Sequence, residues 1–301
     1  MLMTGSGKLI KKIFNTTSIG YEHLRRDVVC QDNSASYLDE ERGIITVCDG
    51  HGGSIYLRSD KGSKFACESF IEVFKTIDKD ITIDAFTPEF ISQLKLKLIC
   101  YWNDLVNNEF IINEDFEDID ENFIDNNLTP DEISKLSEGQ LERIKQHKAT
   151  LYGTTMLGCL VINDLLISVQ LGDGLLVYID KDEVMHVPFI DIDDNVANFT
   201  SSLCQEDAFE HIHIKVERLD NIKYVLVCTD GVVNSYQAYD KYLNNFASPI
   251  VKILLNEENG EEIVKNFIEE LGKEKGIGDD VSLGVMIIED EITESALWVL
   301  S

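Results

Sequence analysis

Residues 44–53 read Ile44-Ile45-Thr46-Val47-Cys48-Asp49-Gly50-His51-Gly52-Gly53. The apolar half, Ile44 to Cys48, is a short buried strand, and the glycine-rich half is a turn for close backbone approach. At their junction the strand delivers a carboxylate, Asp49. Four more aspartates, Asp32, Asp173, Asp230 and Asp279, each end or follow an apolar strand-like run. One Asp-Gly after a strand is usually only a turn. Five strand-end aspartates that converge on Asp49 would suit a pair of hard divalent cations. Such ions take oxygen ligands, rigid strand ends hold those ligands in place, and a neighbouring glycine lets a carbonyl join them.

Outward from this stretch, residues 28–38 and 43–48 read as two antiparallel strands around the polar turn 39–42. A helix follows over about 54–76, with Ile55, Phe65, Ala66, Phe70, Val73 and Phe74 at helical spacing. Residues 77–150 change character and read as an acidic helical insertion. Leu94, Leu98, Trp102, Leu105 and Val106 fit one helix face, and Thr129-Pro130-Asp131-Glu132 is a helix start. The acidic run 109–126 lacks the central glycine and closing glutamate of a calcium loop, so it reads as a solvated segment. Strand signals return at 154–163, 165–170, 175–179 and 183–187, followed by an irregular candidate flap over 188–210. Further strands are expected at 211–216, 223–228 and 281–288, and helices over 232–246 and 249–272. Residues 1–14 read as a loose lead-in. Gly5-Ser6-Gly7-Lys8 is no phosphate loop, because Leu9 replaces the hydroxyl residue and no strand precedes it. Strands grouped in blocks rather than alternating with helices give an α+β chain of packed antiparallel sheets, one domain over 1–301.

The balance of 26 Lys and Arg against 55 Asp and Glu, a net charge of −29, argues against nucleic acid and against an anionic membrane surface. Seven scattered cysteines without a C-x-x-C pair read as reduced thiols. No apolar run reaches the ~20 residues of a membrane span, and no apolar signal core follows the N-terminal lysines. The expected location is cytoplasmic. His211 and His213 fall on one face of an expected strand, and His147 and His186 read as surface residues.

The ordered set of motifs resembles the protein phosphatase 2C family of metal-dependent serine/threonine phosphatases. It comprises Cys48-Asp49-Gly50-His51-Gly52-Gly53, Tyr152-Gly153-Thr154-Thr155, Leu171-Gly172-Asp173-Gly174, Val227-Cys228-Thr229-Asp230-Gly231 and Gly278-Asp279-Asp280-Val281-Ser282. Gly20-Tyr21-Glu22-His23 with Cys30-Gln31-Asp32 is similar to a bacterial branch carrying Gln-Asp in place of Glu-Asp. The resemblance implies a β-sandwich of two mainly antiparallel sheets flanked by helices. It implies two or three Mg²⁺ or Mn²⁺ ions and hydrolysis of phosphoserine or phosphothreonine by a metal-bridging water, without a phosphoenzyme. By position, Asp49 resembles the ligand shared by two metals, with the Gly50 carbonyl beside it, and Asp230 and Asp279 resemble ligands of the first metal. Asp32 resembles a carboxylate acting through water, and Asp173 the ligand of a third metal. His51 resembles the general acid for the leaving alkoxide.

Four departures stand out. Gln31 is neutral where many members carry glutamate, and Asp27 occupies the position of the phosphate-gripping arginine. Gly174 replaces a serine, and Asp280 an asparagine. His23, Arg25 and Arg26 are the candidates to grip phosphate instead. Asp280 competes with Asp279 as a ligand, with Asp279 preferred from its offset to Ser282. Substrates are expected to be phosphoproteins with basic flanks, and a cognate kinase is an expected partner. The alternative is a pseudophosphatase that keeps the fold as a signalling module.

Overall fold

The computed structural model describes residues 2–3, 8–109, 124, 127–189, 200–236 and 239–290. Its strands are β1 (Leu2–Met3), β2 (Lys8–Ser18), β3 (Asn33–Leu38), β4 (Arg42–Cys48), β5 (Met156–Ile162), β6 (Leu165–Leu171), β7 (Leu175–Asp180), β8 (Met185–His186), β9 (His213–Arg218), β10 (Ile222–Cys228) and β11 (Val281–Asp290). They form two antiparallel sheets, ordered β1-β2-β11-β10-β7-β8 and β3-β4-β5-β6-β9. Helices cover the outer face of each sheet, so the layers are helix, sheet, sheet, helix, the flanked sandwich expected above.

β4 lies between β3 and β5, with Ile45 opposite Ser36 on one side and Cys159 on the other. All seven of its residues are buried. Side chains alternate across a strand, so Ile45 and Val47 pack between the sheets against Val225, Val227 and Met286. Ile44 and Cys48 point the other way, toward α2 (Ser59–Lys75) and α3 (Pro88–Glu109), into a cluster with Phe70, Phe74 and Trp102. A strand covered on both faces needs apolar residues at successive positions. That is why Ile44–Cys48 shows no polar alternation. β10 repeats the pattern, with Val225 and Val227 between the sheets and Leu226 and Cys228 toward the helices Ser248–Asn256 and Gly260–Glu270.

Several sequence expectations are corrected. The lead-in is an eleven-residue strand, β2, paired along β11. Its alternation is hidden by a register shift: Ile288 faces Ile10 while Ile287 faces Lys12, so Lys11 is an extra residue. The bulge puts Ile10 and Ile13 on the same inter-sheet face at an odd spacing. The strand expected from residue 28 begins at Asn33, and before it stands a helix, α1 (Tyr21–Arg26), that the sequence did not announce. The helix expected from 54 begins at Ser59, because residues 54–58 form the turn leaving the Asp49 loop. Within 232–246, short helices at Asp230–Val233 and Tyr239–Tyr242 lead through a π turn, Leu243–Ala247, into the helix Ser248–Asn256. His211 closes a helical turn and His213 opens β9, so the two histidines do not share a strand face.

In the 77–150 region, α3 packs on α2, and the Trp102 indole donates to the Gly62 carbonyl at 3.0 Å. Capping boxes start the helices Pro130–Ser134, at Thr129 and Glu132, and Glu138–Gln146, at Ser137 and Gln140. Most of the acidic run 109–126, the middle of the flap, residues 4–7 and the tail from 291 lie outside the described residues. No described helix is long and apolar enough to cross a membrane.

Candidate metal centre

Asp49 follows β4 directly, where the ladder gives way to a network of backbone and threonine contacts. Its N–H donates to Thr155 Oγ1 at 2.9 Å, and its carbonyl accepts from Thr155 N at 2.8 Å and Thr154 Oγ1 at 2.9 Å. The next residues are held as firmly: Gly50 N donates to the Gln31 carbonyl at 3.1 Å and His51 N to the Gly153 carbonyl at 2.9 Å. A Cβ on Gly50 would lie 2.5 Å from the Gln31 carbonyl oxygen and 2.6 Å from that of Ser59, so the turn requires glycine. The Tyr152–Thr155 motif is therefore the strut of the Asp49 turn, a structural job that its sequence alone does not disclose.

Asp173 stands on the turn between β6 and β7, after Gly172 at φ 101, and accepts from Thr200 Oγ1 at 2.7 Å. Asp230 opens the helical turn after β10 and accepts from Asn234 Nδ2 at 3.1 Å. Carboxylate oxygens of Asp49, Asp173 and Asp230 lie within 4.8 Å of one another. Three loops from both sheets thus bring three like charges together at one end of the sandwich.

The titration of these groups reflects that crowding. Burial, then the charges of Asp32 and Asp230, holds the Asp49 carboxyl well above the ordinary carboxylate range. Burial, then Asp173, raises Asp230 to about 6. An all-oxygen donor set whose members resist ionisation beside one another fits a hard divalent cation, which would supply the missing positive charge.

The other predicted residues take different places around a cleft of about 310 Å³. Asp32 is 3% exposed and accepts from Thr229 Oγ1 at 2.7 Å; burial above all raises its carboxyl. Asp279 lines the cleft with Asp49, Asp173 and Asp230, outside the tight group of three, and its Oδ1 accepts from the Asp280 N–H at 2.9 Å. Asp280 has both oxygens engaged, with Gly20 N at 2.7 Å and with Gln31 N at 2.6 Å beside His23 Nδ1 at 2.8 Å. Of the three phosphate-gripping candidates, His23 and Arg26 line the cleft, while Arg25 pairs with Glu22 at 2.7 Å. Gln31 also lines the cleft and donates its amide to Ser59 Oγ at 2.6 Å. His51 lines the cleft too, edge-on to Tyr56 with ring centroids 5.1 Å apart. Its Nε2 is buried without a partner among the described residues, and burial lowers its pKa to about 4.

Sequence reasoning missed the supporting hydroxyls of Thr154, Thr155, Thr200 and Thr229, and the anchoring role of Asp280. Thr154, Thr155 and Thr229 sit inside the quoted motifs, so a signal existed. Thr200 is isolated in the flap, and nothing near it in sequence points to Asp173.

The profile of the family described as Protein phosphatase 2C matches residues 19–269. No match was found among curated proteins. Solved structures match along nearly their whole length. A bacterial serine phosphatase is 15% identical with a TM-score of 0.55, covering 95% of this chain and 100% of its own. The serine/threonine phosphatase Stp1 from Staphylococcus aureus is 14% identical with a TM-score of 0.52, covering 95% and 98%. The catalytic domain of the serine/threonine protein phosphatase PstP, in complex with two manganese ions, is 14% identical with a TM-score of 0.51, covering 93% and 98%. At these identities the structures speak for the fold, and the profile speaks for the family. With the profile matched over most of the sequence and the acidic cleft at the end of the sandwich, the chain belongs to the protein phosphatase 2C family of metal-dependent serine/threonine phosphatases.

Proposed function

We propose that the chain hydrolyses phosphoserine and phosphothreonine on proteins by direct attack of water, using two or three Mg²⁺ or Mn²⁺ ions. The observation that carries this reading is the meeting of Asp49, Asp173 and Asp230 within 4.8 Å, with burial and mutual repulsion raising Asp49 and Asp230. Asp49, Asp173, Asp230 and Asp279, with the Gly50 carbonyl, would hold the ions, and Asp32 would act behind them. Bound divalent ions would supply Lewis acidity and lower the pKa of the water they hold, so that a nucleophile is available near neutral pH. The aspartates would hold those ions from rigid strand ends. His51 lines the cleft as the candidate proton donor to the leaving serine or threonine oxygen, a role it fills only as imidazolium; burial, which lowers its pKa to about 4, opposes that form until an anionic phosphoryl group stands beside it.

Substrates with basic flanks follow from the net charge of −29, which repels an acidic phosphopeptide. A kinase that makes the phosphoresidue is the expected partner. A cytoplasmic setting is part of the same reading, supported by seven cysteines, all free. The test is Mn²⁺-dependent release of phosphate from a phosphothreonine peptide. Activity no higher than that of an Asp49→Asn control would leave only the pseudophosphatase reading.

A further inference from the structure

The segment that enters the cleft from the N-terminal side is organised by one buried carboxylate. Asp280, 3% exposed, accepts from Gly20 N at 2.7 Å through Oδ1 and from Gln31 N at 2.6 Å through Oδ2. The same Oδ2 stands 2.8 Å from His23 Nδ1. A carboxylate that accepts from two backbone N–H groups is an acceptor for the ring as well, so the hydrogen sits on Nδ1 and the ring orientation is set. His23 is itself 8% exposed and lines the cleft with Asp49, Asp173 and Asp230. Its Nε2 bonds to no described residue, yet it is not among the atoms sealed away from solvent. A fixed imidazole at the wall of the cleft therefore keeps one nitrogen open.

We propose that His23 Nε2, with Asp280 behind Nδ1, is the protein's own donor to the phosphoryl group of the substrate. This rests on the phosphatase reading above. With Nδ1–H committed to Asp280, the ring offers a second N–H only as imidazolium. Bound substrate thus completes a line of carboxylate, imidazolium and phosphoryl anion, in which both hydrogen bonds are charge-assisted. The rival cations are less prepared. Arg26 is exposed and its Nε donates to the Glu22 carbonyl at 3.1 Å, and Arg25 is exposed and paired with Glu22. A side chain held before binding loses less freedom on binding.

The same dyad gives Asp27, His23 and Asp280 distinct places. Asp27 is an exposed left-handed cap with φ 55 that ends α1. His23, four residues upstream, lies on the buried face of that helix. Asp280 is the anion an imidazolium needs beside it; a neutral amide there would not supply that charge.

The experiment uses the full chain loaded with Mg²⁺ and labelled with ¹⁵N-histidine. Titration with inorganic phosphate is expected to move the His23 Nε2 resonance toward imidazolium and to leave Nδ1 bonded to Asp280. In steady-state assays on a phosphothreonine peptide, His23→Gln should raise KM and the inhibition constant of inorganic phosphate by about ten- to a hundredfold, with kcat changed much less. Arg26→Gln should shift both less than His23→Gln does. An Nε2 resonance that stays still at saturating phosphate overturns the proposal, as does a folded His23→Gln protein whose inhibition constant is unchanged. If His23→Gln does not fold, the wild-type titration decides alone. Phosphate that engages His23 in a protein with no peptide hydrolysis would uphold this assignment and refute the phosphatase reading.

Discussion

The two walls of the cleft are built in different ways. The cradle of Asp49, Asp173 and Asp230 hangs from strand ends, with backbone and threonine hydrogen bonds fixing each turn. The other wall, Gly20 to Gln31, carries one short helix and no strand, and its Gly20, His23 and Gln31 all converge on the side chain of Asp280. Many backbone bonds share the burden in the first wall. In the second, a single carboxylate concentrates it. A wall of the first kind tolerates a lost side chain while its charge pattern decides function. A wall of the second kind loses its shape when one side chain goes.

That contrast can be broken or sharpened by substitution, and the largest effect belongs to the cradle. Asp49→Asn should remove several kcal/mol of transition-state stabilisation, roughly a thousandfold in kcat, while far-ultraviolet circular dichroism stays native. Next comes the helical wall. Asp280→Ala leaves Gly20 N, Gln31 N and His23 without their acceptor and should cost about 3 kcal/mol in urea unfolding. A loss as small as that of a surface substitution would mean that the wall does not depend on this carboxylate. Gly50→Ala tests where the walls touch. The added Cβ meets the Gln31 and Ser59 carbonyls and should destabilise by about 1–3 kcal/mol, with a loss of activity that extra Mn²⁺ does not restore.

The smallest effect has the opposite sign. The folded-state pKa of Asp230 is raised from 3.8 to about 6 by burial and by Asp173. Its ionisation therefore destabilises the metal-free fold as pH rises through that window, and the penalty is fully present at neutral pH. Asp230→Asn should accordingly raise the stability of the protein in EDTA at pH 7 by about 1 kcal/mol. It should also reduce the thermal shift produced by Mn²⁺. Unchanged stability in EDTA together with a full Mn²⁺ shift would remove Asp230 from the cradle.

The cradle was legible in sequence because each part is local: an apolar run, then aspartate, then glycine. The burial of Ile44–Cys48 and Val225–Cys228 was legible for the same reason, since strands covered on both faces require unbroken apolar runs. β2 was not, because the bulge at Lys11 spoils the alternation and Lys8, Lys11 and Lys12 lower the hydropathy of a strand that is half-covered. α1 was not, because six residues with two arginines and no side-chain cap carry too weak a periodic signal.

The sequence by itself determined which residues are candidates: the strand-end aspartates, the glycines that let the chain turn beside them, and the apolar runs that bury the strands. These follow from local chemistry and period. Only the tertiary structure decided the division of labour between neighbours of the same type. Asp279 and Asp280 are adjacent and chemically identical. Both line the cleft, but Asp280 has both oxygens bound to a segment some 250 residues earlier, the separation being 260 for Gly20 and 249 for Gln31. A carboxylate's role is set by which donors surround it, and here those donors arrive from the far end of the chain.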